Sequence, residues 1–374
     1  MLLDKGNADM KRICLVLYDM SFTGGVEQVA ASLSTQLCDD YEVYIYAIKR
    51  ENTELAYELD TRVKYYEAPQ NMKAPQEKPR LRYILMKTFK PLRKFLCETK
   101  IETAILMGNQ PAFFSLFARM FLNVRYIYCD HGSLMNEWND KTITGIRFLD
   151  ALFSNTVVTL TQRTKADYTR KFHIRKSKVE CIYNWVEPRF IENRKPYDTK
   201  TKKILSVGRF CEDKGYDLLI QVAKKVLPQN PQWEWHICGD GESFKEIEAM
   251  VKAEGLEKQL ILRGNVQNIS DMYHHYAFLV LTSYREGLPL VLLEAKASGL
   301  PLISFDILTG PSEIIRHEQN GYLIQPYNCE EMANCMDILI NDIHMRERFS
   351  QNAEVGIDKF NQKYIIEQWK HLLG

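Results

Sequence analysis

Residues Lys203–Ser243 read KILSVGRFCEDKGYDLLIQVAKKVLPQNPQWEWHICGDGES. KILSV is a short aliphatic run that stops at Gly208; a polar loop follows, then the amphipathic stretch DLLIQVAKKVLPQN, then a second strand-like run, WEWHIC, ending in another glycine turn. Strand, helix and strand in that order form a βαβ unit, because a crossover of this length joins parallel neighbours. The alternation continues through SFKEIEAMVKAEGL, LILRGN, FLVLTS and PLISF. An independent series precedes it, with ICLVLY at Ile13, YEVYIYAI at Tyr41, ETAILM at Glu102 and VRYIYCDH at Val124. Two series in 374 residues exceed what one core holds. The expected fold class is α/β, with two Rossmann-like, doubly wound parallel-sheet domains. The boundary is expected near Pro188 to Thr201, within the polar, proline-bearing EPRFIENRKPYDTKTKK, giving domains at 1–190 and 191–356. Apolar residues at helical spacing in VGIDKFNQKYIIEQWKHLLG predict a closing amphipathic helix over about 357–374; it is expected to pack back on the first domain.

Composition excludes several classes. With 45% hydrophobic and 26% charged residues and a formal net charge of +1, the chain is neither disordered nor a general nucleic-acid binder. Nine cysteines without a C-x-x-C pair read as reduced thiols of a cytoplasmic protein. Apolar stretches such as MGNQPAFFSLFARMFLNV are interrupted by polar residues and proline, so no transmembrane helix is expected.

Between FLVLTS and PLISF lies Arg285–Ser304, REGLPLVLLEAKASGLPLIS, which places Glu286 and Glu294 in an otherwise aliphatic segment. A carboxylate buried among leucines is costly unless something hydrogen-bonds to it. Pro289 suits the first turn of a helix and Gly299 its stop, so a helix over about 289–298 is expected. Free amides at Leu288 and from Leu290 onward then point out of its N-terminus, a seat for phosphate. A carboxylate does not usefully face a phosphate, but it accepts hydrogen bonds from sugar hydroxyls on either side of one, which is what a nucleotide sugar presents. From spacing alone, Glu286 as a capping acid and Glu294 as an exposed helix residue remain open. Arg209 and Lys214 follow KILSV, where a doubly wound sheet binds ligands, and equally suit solvated surface. Gly24 and Gly25 follow the first strand and allow close backbone approach; Gly239 and Gly241 flank Asp240 in what is also a tight turn.

In this order, GGVEQV, SVGRF..DKG, CGDGES, LRGNV and the E-x7-E element EGLPLVLLEA resemble glycosyltransferase family 4, the retaining family with the GT-B fold. The resemblance covers nearly the whole chain. It implies two Rossmann-like domains facing across a cleft, with nucleotide sugar on the second and acceptor on the first. Glu286 is then similar to the acid that contacts donor-sugar hydroxyls, with backbone at Gly287 and Leu288. Leu290 would offer its amide to phosphate, and Glu294 resembles the ribose ligand. Arg209 and Lys214 resemble the basic pair on the diphosphate, and Gly24 and Gly25 would bring amides from the first domain. Gly239 belongs to the same donor-binding set, while Arg263, Gly264 and Val266 lie where the base is held. His131 matches a histidine near the reacting sugar. Asn184 matches a recurrent asparagine, but Trp185 stands where the family usually has glycine.

The resemblance implies transfer of a hexose from a nucleotide sugar, UDP-sugar favoured, to a glycan or lipid-linked glycan. No Asp-x-Asp pair occurs in the sequence, so no metal cofactor is expected; Arg209, Lys214 and the helix dipole are left to oppose the leaving-group charge. An epimerase of GT-B type and an inactive nucleotide-sugar-binding protein are the alternatives. Residues 73–100 carry nine bases against Glu77 and Glu98, interleaved with aliphatic and aromatic residues. That stretch suits peripheral contact with an anionic membrane on its cytoplasmic face, and it equally suits a solvated helix packed on its own domain.

Overall fold

The computed structural model describes residues 10–69, 81–266 and 268–374. The chain divides into two compact units: residues up to Ile182 together with Ile366–Gly374, and Tyr183–Ile365. The first division falls at Ile182 rather than at 190 because the supposed linker is not all linker. Its residues Pro188–Glu192 form a short helix whose Phe190 is buried edge-on to Tyr273, 5.6 Å between ring centroids, within the second unit.

In the first unit β1 (Arg12–Leu17), β2 (Glu42–Ala47), β3 (Lys64–Glu67), β4 (Thr103–Met107), β5 (Arg125–Asp130), β6 (Thr156–Thr159) and β7 (Val179–Cys181) form one sheet, ordered β3-β2-β1-β4-β5-β6-β7. Every pairing is parallel. Sheets of this kind are covered on both faces, so β1, β2 and β5 are buried at every position after the first. The order reverses between β1 and β4. The closing helix, Gln362–Leu373, ends in this unit, where Arg125 Nη1 donates to the Leu372 carbonyl at 2.6 Å and Lys370 pairs with Asp40 at 2.7 Å.

The second unit repeats the scheme with β8 (Lys203–Val207), β9 (Glu234–Cys238), β10 (Leu260–Gly264), β11 (Phe278–Leu281), β12 (Leu302–Phe305) and β13 (Gly321–Ile324), ordered β10-β9-β8-β11-β12-β13 and again wholly parallel. Its reversal lies between β8 and β11. Trp235, Phe278 and Phe305 are fully buried in its core, each worth roughly 1.5–3 kcal/mol of apolar burial. In sheets wound this way the crevice beyond the strand C-termini at the reversal is where ligands bind.

All nine cysteines are free thiols. Among the described residues no helix is long and apolar enough to cross a membrane. Of the basic stretch, Lys73–Arg80 lies outside the described residues; Leu81–Glu98 is helical.

Candidate functional site

The reversal of the second sheet brings three loops together. After β8 the chain makes a short 3₁₀ turn, Glu212–Lys214, and passes through Gly215 at φ 61°. This left-handed glycine is required twice, by its backbone angle and because a Cβ there would collide with the Thr282 carbonyl after β11. The two loops are stitched accordingly: Thr282 Oγ1 donates to the Lys214 carbonyl at 3.2 Å, the Tyr284 amide to the Asp213 carbonyl at 2.8 Å, and Arg285 pairs with Asp213 at 2.7 Å.

That stitching delivers Lys214 to Glu286. Lys214 Nζ lies 2.6 Å from Glu286 Oε1, which also accepts from Ser283 Oγ at 2.7 Å, and both side chains are mostly buried. Burial acts to lower the Lys214 pKa, but the charge and hydrogen bond of Glu286 outweigh it and the net direction is upward. The third loop, after β12, closes on the same acid through Thr309 Oγ1, which donates to the Glu286 carbonyl at 2.8 Å.

The helix following Glu286 spans Leu290–Ala297 with Pro289 as its cap residue and no side-chain cap. It ends as expected at Gly299, φ 82°, with the Leu300 amide bonded to the Ala295 carbonyl and the Gly299 amide to Lys296, a Schellman stop. The amides of Leu292 and Leu293 donate to the carbonyl of the cap residue Pro289, at 3.1 and 3.4 Å, which leaves those of Leu290 and Val291 at the open N-terminus of the helix. Glu294 is only 8% exposed and accepts from the buried Tyr273 hydroxyl at 2.9 Å, which overturns the alternative of an exposed helix residue. The Glu286 carboxylate, the other acid in question, is engaged by Lys214 and Ser283.

Other predicted residues are placed around this centre. Gly208, Gly239 and Gly264 are linked by backbone hydrogen bonds across the ends of β8, β9 and β10: the Gly208 amide to Cys238 at 3.0 Å and the Gly239 amide to Gly264 at 2.8 Å. Gly239 has no room for a Cβ beside the Gly208 carbonyl, so its smallness serves strand-end packing. Arg263 is exposed and Val266 half-buried beside them, Leu288 is buried, and the Gly287 carbonyl faces Gly310. Arg209 is exposed and paired with Glu242 at 2.9 Å.

In the first unit, Gly24 caps the helix Gly25–Leu37 after β1, and its carbonyl accepts from Tyr57 at 3.2 Å. His131 follows β5 and is half-buried; Nε2 has no hydrogen-bond partner among the described residues. Burial holds its pKa down at about 4 against the opposing charge of Asp130, so the imidazole is neutral near pH 7. Behind it lies a buried polar cluster. Asp130 accepts from the Tyr168 hydroxyl at 2.7 Å and from the Gly132 amide at 3.1 Å, while Arg147 donates to the Ser133 carbonyl at 2.5 Å and pairs with Glu137 at 2.6 Å. Asp130 and Arg147 thus grip both sides of the His131 loop. Asp150, fully buried with neither carboxyl oxygen hydrogen-bonded among the described residues, is pushed up to about 8 by burial and by Asp130.

Residues 23–190 match Glycosyltransferase Family 4, and residues 189–355 match Glycosyl transferases group 1. The chain belongs to glycosyltransferase family 4. The amylovoran biosynthesis glycosyltransferase AmsD of Erwinia amylovora is 28% identical over 98% of this chain and 100% of its own. A Campylobacter jejuni N-acetylgalactosamine-N,N'-diacetylbacillosaminyl-diphospho-undecaprenol 4-alpha-N-acetylgalactosaminyltransferase is 25% identical over 98% and 100%. A structure of S. aureus TarM, in complex with Fondaparinux, alpha-GlcNAc-glycerol and UDP, superposes with a TM-score of 0.82 at 19% identity, covering 97% of this chain and 99% of that one. The protein is a glycosyltransferase with the GT-B fold of two Rossmann-like domains.

Trp185, the departure from the usual glycine of family 4, is buried and donates through Nε1 to Glu187 at 3.0 Å, beside a buried Asn184. Sequence reasoning missed Ser283, Thr309 and Tyr273, partners of the two predicted acids, and the whole Asp130–Arg147–Asp150–Tyr168 cluster. For the cluster a signal existed: IRFLDALF sets two opposite charges in an apolar helix, as LVLLEAKA does.

Proposed function

We propose that this glycosyltransferase is a retaining hexosyltransferase of bacterial surface polysaccharide synthesis. It moves a sugar from a nucleoside diphosphate sugar, UDP-sugar by preference, to a glycan or lipid-linked glycan, without a resident metal. The observation that carries this reading is the Lys214–Glu286 contact at the reversal of the second sheet, beside a helix N-terminus. An incoming diphosphate competes with Glu286 for the Lys214 ammonium and accepts from the Leu290 amide. Glu286, with Ser283 beside it, turns to the hydroxyls of the donor sugar, and Glu294 serves the ribose. As the bond from the anomeric carbon to the phosphate oxygen breaks, negative charge grows on that oxygen; Lys214, Arg209 and the helix amides oppose it. The acceptor hydroxyl attacks from the same face, and its proton passes to the departing phosphate oxygen. On the first unit, neutral His131 is the hydrogen-bonding group that the family resemblance assigns to the sugar.

The absence of an Asp-x-Asp pair from the sequence supports the assignment of this charge to protein cations. The UDP bound to TarM supports a uridine donor, and the diphospho-undecaprenol-linked substrate of the Campylobacter enzyme supports a lipid-linked acceptor. Such an acceptor favours a cytoplasmic enzyme with peripheral membrane contact through residues 73–100. Thermal unfolding with UDP- and GDP-sugars tests the donor: at a hundred times its dissociation constant the right one stabilises by about 2.7 kcal/mol. Transfer in EDTA, with the anomeric configuration of the product read by NMR, tests the rest. An inverted product, a requirement for added metal, or epimerised donor formed without acceptor would each defeat the reading.

A further inference from the structure

The first unit carries an apolar surface outside the predicted donor- and acceptor-binding residues. Helix Asn109–Ala118 runs into a turn where Phe121 is 96% exposed and holds φ 59°. A left-handed backbone is where glycine or asparagine normally sits, and a bulky aromatic is strained there. This position therefore bears two unfavourable features at once, strain and an apolar ring in water. Met120 and Phe117 are exposed beside it, and Phe148, Leu152 and Phe153 are exposed on the helix Lys141–Phe153. The two helix ends converge on Lys178, which donates to the Leu152 carbonyl at 2.8 Å and lies within reach of the Arg119 charge. From the other side Arg93 donates to the carbonyls of Ala118, at 3.0 Å, and Met120.

The segments that carry this surface hold exposed charge of one sign, with the exposed acids Glu98 and Glu102 on the neighbouring elements. Residues 109–124 contain Arg119 and no acid, the only acid of helix Lys141–Phe153 is the buried Asp150, and residues 175–178 read RKSK. Exposed aromatics ringed by cations, with no exposed carboxylate in these segments, fit the interface of an anionic bilayer: rings enter the headgroup boundary while cations meet lipid phosphates. A partner with its own mixture of charges would not call for so one-sided a rim. The surface lies at the strand starts, since the turn leads into β5 and Phe153 precedes β6, whereas Gly25 and His131 follow strand ends.

We propose that Phe121, with Met120 and the exposed face of helix Lys141–Phe153, is the element by which this glycosyltransferase inserts into an anionic membrane surface. The inference deepens the membrane contact proposed above. Its test reads lipid binding without sugar transfer, so the two proposals fail separately.

The full chain is co-sedimented with vesicles of phosphatidylglycerol and phosphatidylcholine, and with phosphatidylcholine alone, at low and high salt. Binding is expected to the anionic vesicles and to weaken in salt. Phe121→Asn is expected to lower the partition coefficient about tenfold or more. Its thermal midpoint should stay level or rise, because asparagine suits the left-handed backbone. The double variant Phe148→Ser, Leu152→Gln should weaken binding similarly, with transfer to a soluble acceptor unchanged in both variants. The proposal is overturned if Phe121→Asn binds vesicles like the parent, if its midpoint drops, or if the parent ignores anionic vesicles and instead forms a dimer that Phe121→Asn dissolves.

Discussion

The two sheets reverse their strand order at equivalent places, yet the residues set there differ in kind. Between β8 and β11 charged side chains meet, with Lys214 and Glu286 in contact and Asp213 paired to Arg285 across the same two loops. Between β1 and β4 the first unit presents backbone instead, with Gly24 and Gly25 after one strand and Gly108 after the other. Its buried charges stand farther along the sheet, behind β5, where Asp130 and Arg147 brace the loop of a neutral histidine. Topology supplies the opening in both units; loop side chains decide whether it becomes an electrostatic seat or a close backbone approach.

Substitutions in each region should break that contrast differently. Arg147→Met removes a 4% exposed guanidinium from between Asp130 and Glu137, leaving buried charge uncompensated. It should cost about 3–5 kcal/mol in chemical denaturation, and a loss well below 1 kcal/mol would show that the cluster does not brace the fold. Lys214→Ala should leave a folded enzyme but remove about 2–4 kcal/mol of transition-state stabilisation, or two to three powers of ten in kcat. Parental turnover in EDTA would dissolve the distinction between the two regions.

The pH response sharpens the comparison further. Asp150 titrates at about 8 in the folded chain against 3.8 as a free group, so the folded state holds its proton longer. Stability from this group is complete below about pH 4 and lost progressively as pH rises to about 8, by up to roughly 1.4 kcal/mol per unit. Asp150→Asn should flatten the parent's decline across that window, measured by denaturation at pH 5 and 8.5.

The smallest effect concerns a second buried lysine. Lys296 is 1% exposed and, among the described residues, donates to the Ile314 carbonyl at 3.2 Å and to no carboxylate. Burial first, then repulsion from Lys359 and Arg316, lowers its pKa from 10.5 to about 8. With a depressed folded value the lysine withdraws stability as pH falls from about 10.5 to 8, and the full cost stands at pH 7. Lys296→Met should therefore be neutral or stabilise by about 1 kcal/mol at pH 7, the reverse of what the carboxylate-paired Lys214 would show.

Much of the fold was legible because it is written locally. The βαβ alternation, Pro289 opening a helix and Gly299 closing it all depend on residues within a few positions of each other. The short strands β3, β6 and β7, and likewise β13, were not, since KYYE, TVVT, VEC and GYLI offer three or four residues each and no usable period. The acids at 286 and 294 stood out as charges in an aliphatic run, but their partners did not. Lys214 lies 72 residues before Glu286, and Tyr273 lies 21 residues before Glu294. Arg209, grouped with Lys214 by proximity in sequence, is exposed and pairs with Glu242, a partner 33 residues further on that no local pattern announces.

By itself the sequence determined that two parallel sheets would form, which glycines punctuate them, and that acids at 286 and 294 needed partners. Tertiary structure alone decided who those partners are and which unit carries paired charge at its strand reversal. Hydrophobic period and turn chemistry act over one or two turns of chain, whereas the neighbour of a buried charge is set by strand order, and an alternating apolar pattern is compatible with many such orders.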